Sequence, residues 1–202
     1  MKAVLATRNP HKVDEVARIL TPYDVELVSL ADVDGVPDVA ETGATFADNA
    51  LLKAAAASAA TGMIAIADDS GLAVAALGGM PGVLSARWAG GHGDDAANLR
   101  LVLDQLAEVP DDRRGAAFVC AAAAVTPDGR ELVVEGQVDG TLTRTPRGSN
   151  GFGYDPIFVP AGETRTTAEM PPEDKDALSH RGKAFRALAP RLTELTDNSR
   201  RS

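Results

Sequence analysis

Two adjacent carboxylates, Asp68 and Asp69, follow a short apolar run at residues 64–67. The apolar run predicts a buried strand that ends at the carboxylates, and strand ends are where α/β proteins place their chemistry. Two neighbouring acids at the edge of a core repel each other, so we expect a metal ion or a cationic side chain between them. A surface turn is the alternative, because Ser70 and Gly71 come next and Asp, Ser and Gly are all common in turns.

A polar loop follows the first apolar segment, residues 2–6, which predicts another buried strand. Asn9 is a good N-cap and Pro10 a good first helical residue, so a helix should begin here. The loop then presents free backbone N–H groups and the positive end of a helix dipole, which suit a phosphate chain. A capped helix with solvated basic residues is the alternative, because the loop has no glycine and is not a Walker motif. The side-chain donors are Thr7, Arg8, Asn9 and Lys12.

Glu41 is a candidate third carboxylate. It lies just ahead of a predicted helix at residues 45–61, in which Thr45 and Asp48 form a capping box and Gly62 is the stop. If this loop packs beside the two aspartates, Glu41 adds an oxygen ligand for a metal. Otherwise it caps the helix or is solvated.

Asn49 and Lys53 lie four residues apart on this helix and therefore share a face. Either side chain could reach a ligand. Because lysine is mostly exposed in proteins, the expected arrangement is a solvated polar face.

The second half predicts strands at residues 115–125 and 131–138, joined by a Pro-Asp-Gly turn. An antiparallel pair of this kind makes the whole sheet mixed. The density of Gly and Pro at residues 77–90 predicts a packed loop without regular structure, and a helix is expected at residues 94–106.

A glycine-rich segment at residues 147–156 contains two aromatic residues and an acid. Its glycines would let the backbone approach a ligand, and Phe152 offers a face on which a nucleobase could stack. A bulged turn with aromatics tucked into the core is the alternative. Further along, His180 and Arg181 lie near the start of a predicted C-terminal helix, in which Pro190 should introduce a kink.

Composition limits the classes of function. The chain has 202 residues with 20 basic and 29 acidic side chains, and its net charge of −9 argues against general binding of nucleic acid or anionic membranes. No apolar run approaches the roughly 20 residues of a membrane span, and the N-terminal segment does not resemble a secretory signal. We therefore expect a cytoplasmic protein, with the single cysteine, Cys120, in the core and a disordered tail at residues 197–202.

Six motifs in one order resemble the inosine triphosphate pyrophosphatase family, the XTP/dITP diphosphatases, from residue 2 to about residue 195. They are Thr7-Arg8-Asn9 with Lys12 and Glu15; Glu41-Thr42-Gly43 with Thr45-Phe46; Ala67-Asp68-Asp69-Ser70-Gly71-Leu72; Pro81-Gly82-Val83 with Ser85-Ala86-Arg87; Gly151-Phe152-Gly153-Tyr154-Asp155-Pro156; and Ser179-His180-Arg181-Gly182.

The resemblance implies hydrolysis of ITP, dITP and XTP to the monophosphate and pyrophosphate with Mg²⁺. It implies an α/β fold with a mixed, twisted sheet flanked by helices, and two lobes with a cleft between them. Residues 1–196 would form this one domain, and two copies of the chain would form a homodimer.

The resemblance also assigns residues. Asp69 would be the proton acceptor and a metal ligand, and the loop from Thr7 to Lys12, with Pro10 and His11 included, would hold phosphates. The remaining substrate contacts would be Ser70, Phe152, Gly153, Tyr154, Asp155, Lys175, His180 and Arg181.

Attack of water on the α-phosphorus requires a base, a metal to neutralise charge, and donors for the leaving group. We assign Asp69 as the base and Asp68 and Glu41 as further Mg²⁺ ligands, directly or through water, although the roles of the two aspartates could be exchanged. The Arg181 side chain has only hydrogen-bond donors, so it would donate to the 6-oxo group of hypoxanthine or xanthine and could not pair with the amino group of adenine.

Three positions depart from the family pattern. Arg8 and His11 stand where glycine is usual, which changes how the backbone wraps the phosphates, and Ala40 replaces a frequent second glutamate. Two rival functions stay open: a pyrophosphatase for pyrimidine or modified nucleotides, and a nucleotide-binding regulator without turnover.

Overall fold

The structure is a computed structural model that describes residues 1–33 and 35–197. Its strands are β1 (Lys2–Leu5), β2 (Glu26–Ser29), β3 (Ala65–Val74), β4 (Gly115–Val125), β5 (Glu131–Leu142) and β6 (Phe158–Pro160). Its α-helices are α1 (Pro10–Leu20), α2 (Phe46–Thr61), α3 (Asp95–Gln105), α4 (Pro172–Leu178) and α5 (His180–Asp197). Within the described ranges, no helix is long and apolar enough to cross a membrane.

The six strands form one sheet in the order β2-β1-β3-β4-β5-β6. β1 runs parallel to both β2 and β3, whereas β5 and β6 are antiparallel. β4 and β5 are neighbours joined by a short turn, closed where the Thr126 N–H donates to the Arg130 carbonyl at 3.0 Å, so they too run antiparallel. The prediction of a mixed sheet flanked by helices is confirmed.

The predicted starts of α1 and α2 are confirmed. Both starts could be predicted because each depends on residues that are close in sequence. The Asn9 side chain accepts from the backbone N–H groups of His11 and Lys12 at 3.0 and 3.4 Å. At α2, Thr45 and Asp48 form the reciprocal capping box, with hydrogen bonds of 3.0 and 3.1 Å.

The structure differs from the sequence predictions in four places. β3 does not end at Asp68 but continues to Val74, and residues 82–87 of the expected irregular loop form a 3₁₀-helix. An additional short helix, α4, precedes α5. α5 extends to Asp197, the first residue of the predicted tail, and the rest of that tail lies outside the described residues.

The chain divides into two compact units, which we describe separately. The first contains Met1–Asp69, Cys120–Gly136 and the segment that begins at Arg181; the second contains Ser70–Val119 and Gln137–His180. The core of the second unit includes Leu72, Val102, Leu106, Phe118 and Phe158.

In the first unit, the two faces of β3 have different cores. Ile66 packs with residues of α1 and α5, together with the buried Cys120, whereas Ala65 and Ala67 pack with alanines of α2. Alternate residues of a strand point to opposite faces, so Asp68 continues the Ile66 face and Asp69 continues the Ala67 face. Each aspartate therefore meets a different set of helices.

Candidate active site

Asp68 and Asp69 are both buried, at 1% and 6% exposure, and they lie on opposite faces of β3. Strand geometry directs adjacent side chains apart, so the nearest cationic side chain differs for the two aspartates, and a metal ion beside them stays a prediction. Asp68 pairs with Lys12 and Arg181 and Asp69 pairs with Lys53, and each of the two lysines also attracts the other aspartate. These cations explain why a strand can continue through two acids.

Asp69 faces α2. Asn49 donates from Nδ2 to Asp69 Oδ2 at 3.0 Å, and Lys53 lies with Nζ 3.1 Å from Asp69 Oδ1. The same ammonium lies 2.7 Å from Oε1 of Glu41, so the lysine bridges the two carboxylates. The expected solvated face of α2 was wrong: Asn49 is fully buried and the Lys53 side chain is 15% exposed.

The protonation chemistry of this cluster follows from its burial. Burial raises the pKa of the Asp69 carboxyl above its usual value, and the attraction of Lys53 offsets only part of that effect. Burial alone would lower the pKa of Lys53, but attraction to Asp69, Asp68 and Glu41 outweighs it and raises the pKa. A charged lysine beside an aspartate of increased basicity is typical of a catalytic proton acceptor.

Asp68 faces α1 and α5. Lys12 lies with Nζ 3.0 Å from Asp68 Oδ2, and Arg181 donates to the same oxygen from Nε and Nη2 at 3.3 and 3.2 Å. Arg181 also donates from Nη1 to Glu15, which is buried in α1. Burial would lower the pKa of Arg181, but Asp68 and Glu15 hold it above its ordinary value.

Asp68 was predicted to bind Mg²⁺ and Arg181 to contact the nucleobase, but the structure shows both in contact with residues of this chain. The Asp68 carboxylate is directed to Lys12 and Arg181 rather than to Glu41 and Asp69. Arg181 is 2% exposed, and its guanidinium donates to carboxylates of this chain. A guanidinium has five N–H donors, so a nucleobase would have to contact one of the other two or displace one of these carboxylates.

The loop after β1 is held largely by its own contacts. Thr7 accepts from the Asn9 N–H at 3.2 Å, and the Asn9 side chain caps α1. Arg8 donates from Nε to Asp38 at 2.9 Å and from Nη2 to the Val36 carbonyl at 3.0 Å, so its guanidinium is directed toward the segment ahead of Glu41. A surface pocket beside the loop is lined by Thr7, Arg8, Pro10, Val13, Asp14 and Ser29. His11 is exposed.

In the second unit, Asp155 accepts hydrogen bonds from Phe152 and Lys175, two residues that were predicted to contact the substrate. Its Oδ2 accepts from Lys175 Nζ at 2.6 Å and from the Phe152 N–H at 2.9 Å, and its Oδ1 accepts from Thr167 at 2.8 Å. The Lys175 ammonium lies 5.2 Å from the centre of the Phe152 ring. A Cβ on Gly151 would lie 2.1 Å from Asp155 Oδ2, so only glycine lets the backbone approach this closely.

Other residues of this unit that were predicted to contact the substrate have partners within the protein. The Tyr154 hydroxyl donates to the Ser85 carbonyl at 2.8 Å, and burial raises its pKa, so it stays neutral. The Gly153 N–H donates to Asp95 at 2.9 Å, and His180 is buried with its ring stacked 4.8 Å from that of Phe118. Ser70, the first residue of the unit, is half-buried in β3.

The structure therefore brings the expected residues into three clusters. They are Glu41 with Asp69; Lys12 with Asp68 and Arg181; and Phe152 with Asp155 and Lys175. Sequence reasoning missed Lys53 and Asn49 as members of the first cluster and Glu15 as a member of the second. Their signal was helical spacing: Asn49 precedes Lys53 by four residues, and Glu15 follows Lys12 by three.

The first cluster is better suited to Mg²⁺ than to a metal ion that is coordinated by protein side chains alone. In the described part of the chain, no three His, Cys, Asp or Glu side chains form a group that could hold a metal ion. Glu41 and Asp69, however, share one ammonium, so their oxygens converge on a positive charge. Mg²⁺ is usually bound by one or two carboxylates together with waters and substrate phosphates, and this pair meets that requirement.

The fold and the first cluster define a mixed α/β protein in which a buried aspartate is held beside a lysine and a second carboxylate. The chain belongs to the Ham1 family, which matches residues 3–191. A dITP/XTP pyrophosphatase from Mycobacteroides abscessus is 59% identical over 203 residues, covering 99% of this chain and 98% of the relative. One from Streptomyces coelicolor is 58% identical, covering 96% of this chain and 98% of the relative.

Solved structures show the same fold. A HAM1 protein from Coxiella burnetii superposes with a TM-score of 0.86 at 42% identity, covering 96% of this chain and 99% of that one. The Ham1 protein of Staphylococcus aureus gives a TM-score of 0.84 at 39% identity, with the same two coverages.

Proposed function

We propose that this protein hydrolyses non-standard purine nucleoside triphosphates, dITP, ITP, XTP and dXTP, to the nucleoside monophosphate and pyrophosphate. The observation that carries the proposal is the Asp69 carboxylate, buried and held by Asn49 and Lys53 beside Glu41. Relatives named dITP/XTP pyrophosphatase that match nearly the whole chain support the choice of substrate. The activity would remove these nucleotides from the pool.

Asp69 is the proposed proton acceptor for the water that attacks the α-phosphorus. Its raised pKa makes the carboxylate more basic than an exposed aspartate. Asn49 and Lys53 fix both of its oxygens, so the base is already oriented before substrate arrives. Glu41 and Asp69 would hold Mg²⁺, which when bound neutralises charge on the phosphates.

Lys12 is the proposed phosphate-binding side chain with the clearest support. It extends from the first turn of α1 to Asp68, and the backbone N–H groups of a helix start favour anions. Asp68 would orient Lys12 and is itself neutralised by Arg181, and its role as a further Mg²⁺ ligand stays a prediction. Thr7, Arg8 and Asn9 are retained as further proposed phosphate contacts.

For the base, we propose that Phe152 provides the stacking surface, with Lys175 and Asp155 fixing its loop. The role of Arg181 in reading the 6-oxo group stays a prediction with an added condition. Three of its five N–H donors are directed to Asp68 and Glu15, so the 6-oxo group would have to contact one of the other two or displace a carboxylate.

Three further expectations stay proposals on the strength of the family resemblance: a homodimer, a cytoplasmic location, and a single domain at residues 1–196. Dependence on Mg²⁺ is supported by the paired oxygens of Glu41 and Asp69.

The proposal is tested by assaying dITP, XTP, dATP, dGTP and TTP with Mg²⁺ and identifying the products. We expect dITP and XTP to give monophosphate and pyrophosphate, with the three standard nucleotides much slower. A preference for TTP would favour the rival pyrophosphatase. Binding of dITP without release of pyrophosphate would favour a regulator.

A further inference from the structure

Asn49 joins two segments that carry the proposed metal ligands. Its Nδ2 donates to Asp69 Oδ2 at 3.0 Å, and its Oδ1 accepts from the Gly43 N–H at 2.8 Å. Gly43 supplies only a donor and Asp69 a carboxylate, so the amide can satisfy both in just one of its two orientations. One buried side chain therefore links β3 to the loop that contains Glu41.

The loop is closely fitted to this amide. A Cβ on Gly43 would lie 2.7 Å from Asn49 Oδ1 and 2.5 Å from the Cβ of Asp48. A larger residue at position 43 would therefore push the loop away from α2. Glu41 lies two residues earlier in the chain, so a shift of this loop would move it relative to Asp69.

Lys53 and Asn49 have different roles at these carboxylates. Lys53, one turn further along α2, neutralises Glu41 and Asp69 from one side. A positive charge attracts both carboxylates but is replaceable by a metal ion, whereas the amide carries no charge and can stay in place when a cation binds.

We propose that Asn49 is a positioning residue, which sets the orientation of Asp69 and its separation from Glu41 so that the two carboxylates can hold a divalent cation. The inference rests on the proposed function for the cation itself. Aspartate would turn an acceptor toward Asp69, and leucine would bind neither partner. Loss of a hydrogen-bond partner of a metal-binding group typically lowers metal affinity about 10–100-fold.

The test measures Mn²⁺ binding to nucleotide-free protein, by the electron paramagnetic resonance signal of the free aqua ion. The variants are Asn49→Leu and Gly43→Ala, and thermal midpoints are recorded for every protein. Asn98→Leu is the matched control, because Asn98 is also a buried helical asparagine that joins a loop. It accepts from the Ala89 N–H at 2.7 Å and donates to the Ala86 carbonyl at 3.2 Å.

We expect Asn49→Leu and Gly43→Ala to weaken Mn²⁺ binding at least about tenfold, whereas Asn98→Leu loses thermal stability and keeps its Mn²⁺ affinity. With Mg²⁺ and dITP, Asn49→Leu should lower kcat while KM for dITP stays within about twofold of wild type. A folded Asn49→Leu protein with wild-type Mn²⁺ affinity would overturn the proposal. If that variant does not fold, wild-type affinity in Gly43→Ala would overturn it instead.

The wild-type protein separates this inference from the proposed function. Mn²⁺ binding without hydrolysis of dITP would refute the function and leave the role of Asn49 to be decided by the variants. Hydrolysis of dITP by a wild-type protein that takes up no Mn²⁺ would overturn the inference alone.

Discussion

Asp69 and Asp68 are neighbours in sequence, yet their surroundings give them different chemistry. Asp69 meets one lysine, one amide and a second carboxylate, whereas Asp68 meets Lys12 and Arg181. The sequence predicted a functional pair but could not divide the roles. The division depends on which helix covers each face of β3, and no local pattern around the two residues contains that information.

Replacement of the proposed base should remove turnover and keep the fold. Asn at position 69 has nearly the shape of Asp but cannot accept a proton from water, so we expect kcat for dITP to fall about 10²–10⁴-fold. Circular dichroism checks that the protein remains folded. A rate near that of wild type would mean that the base is another group.

Replacement of Lys53 should expose its role as a counter-ion. Lys53→Met leaves Glu41 and Asp69 facing each other without the shared ammonium. In the presence of a chelator, we expect a loss of about 2 kcal/mol, or roughly 4–8 °C in Tm for a chain of this size. Added Mg²⁺ should raise the Tm of the variant more than that of wild type, because the cation replaces the missing charge. Equal shifts in differential scanning calorimetry would contradict this role.

At the scale of elements, β3 is the clearest difference between sequence and structure. The predicted starts of α1 and α2 held because a cap depends on residues within one turn. The end of β3 was misplaced because its continuation depends on Lys12, Lys53 and Arg181, which lie far from it in sequence. Charge pairing between elements is not visible in a local pattern.

The contact of α1 and α5 with β3 should depend on Arg181. Arg181→Leu leaves Asp68 and Glu15 buried without the guanidinium, so we expect a cost of about 3–5 kcal/mol in urea unfolding. Arg191→Leu is the control, because Arg191 lies exposed on the same helix and should change stability by less than about 0.5 kcal/mol. Equal stability of the two variants would show that the buried network contributes little.

For the whole molecule, local sequence patterns could not predict the order of the strands in the sheet or the division into two units. Apolar patterns predicted β1, β3, β4 and β5, but β6 has only three residues, Phe158–Pro160, and lies at the edge beside β5. Motif order alone carried the resemblance to a family, and the chain indeed belongs to the Ham1 family. A net charge of −9 is compatible with a phosphorylated substrate because three cations, Lys12, Lys53 and Arg181, lie at Asp68 and Asp69.

We expect water to attack the α-phosphorus of dITP. Hydrolysis in ¹⁸O-labelled water, followed by mass spectrometry of both products, tests it directly, because the attacking oxygen stays on the phosphorus that it reaches. We predict that the label appears in dIMP and that pyrophosphate is unlabelled. Label in pyrophosphate, or release of inorganic phosphate with dIDP, would contradict this expectation.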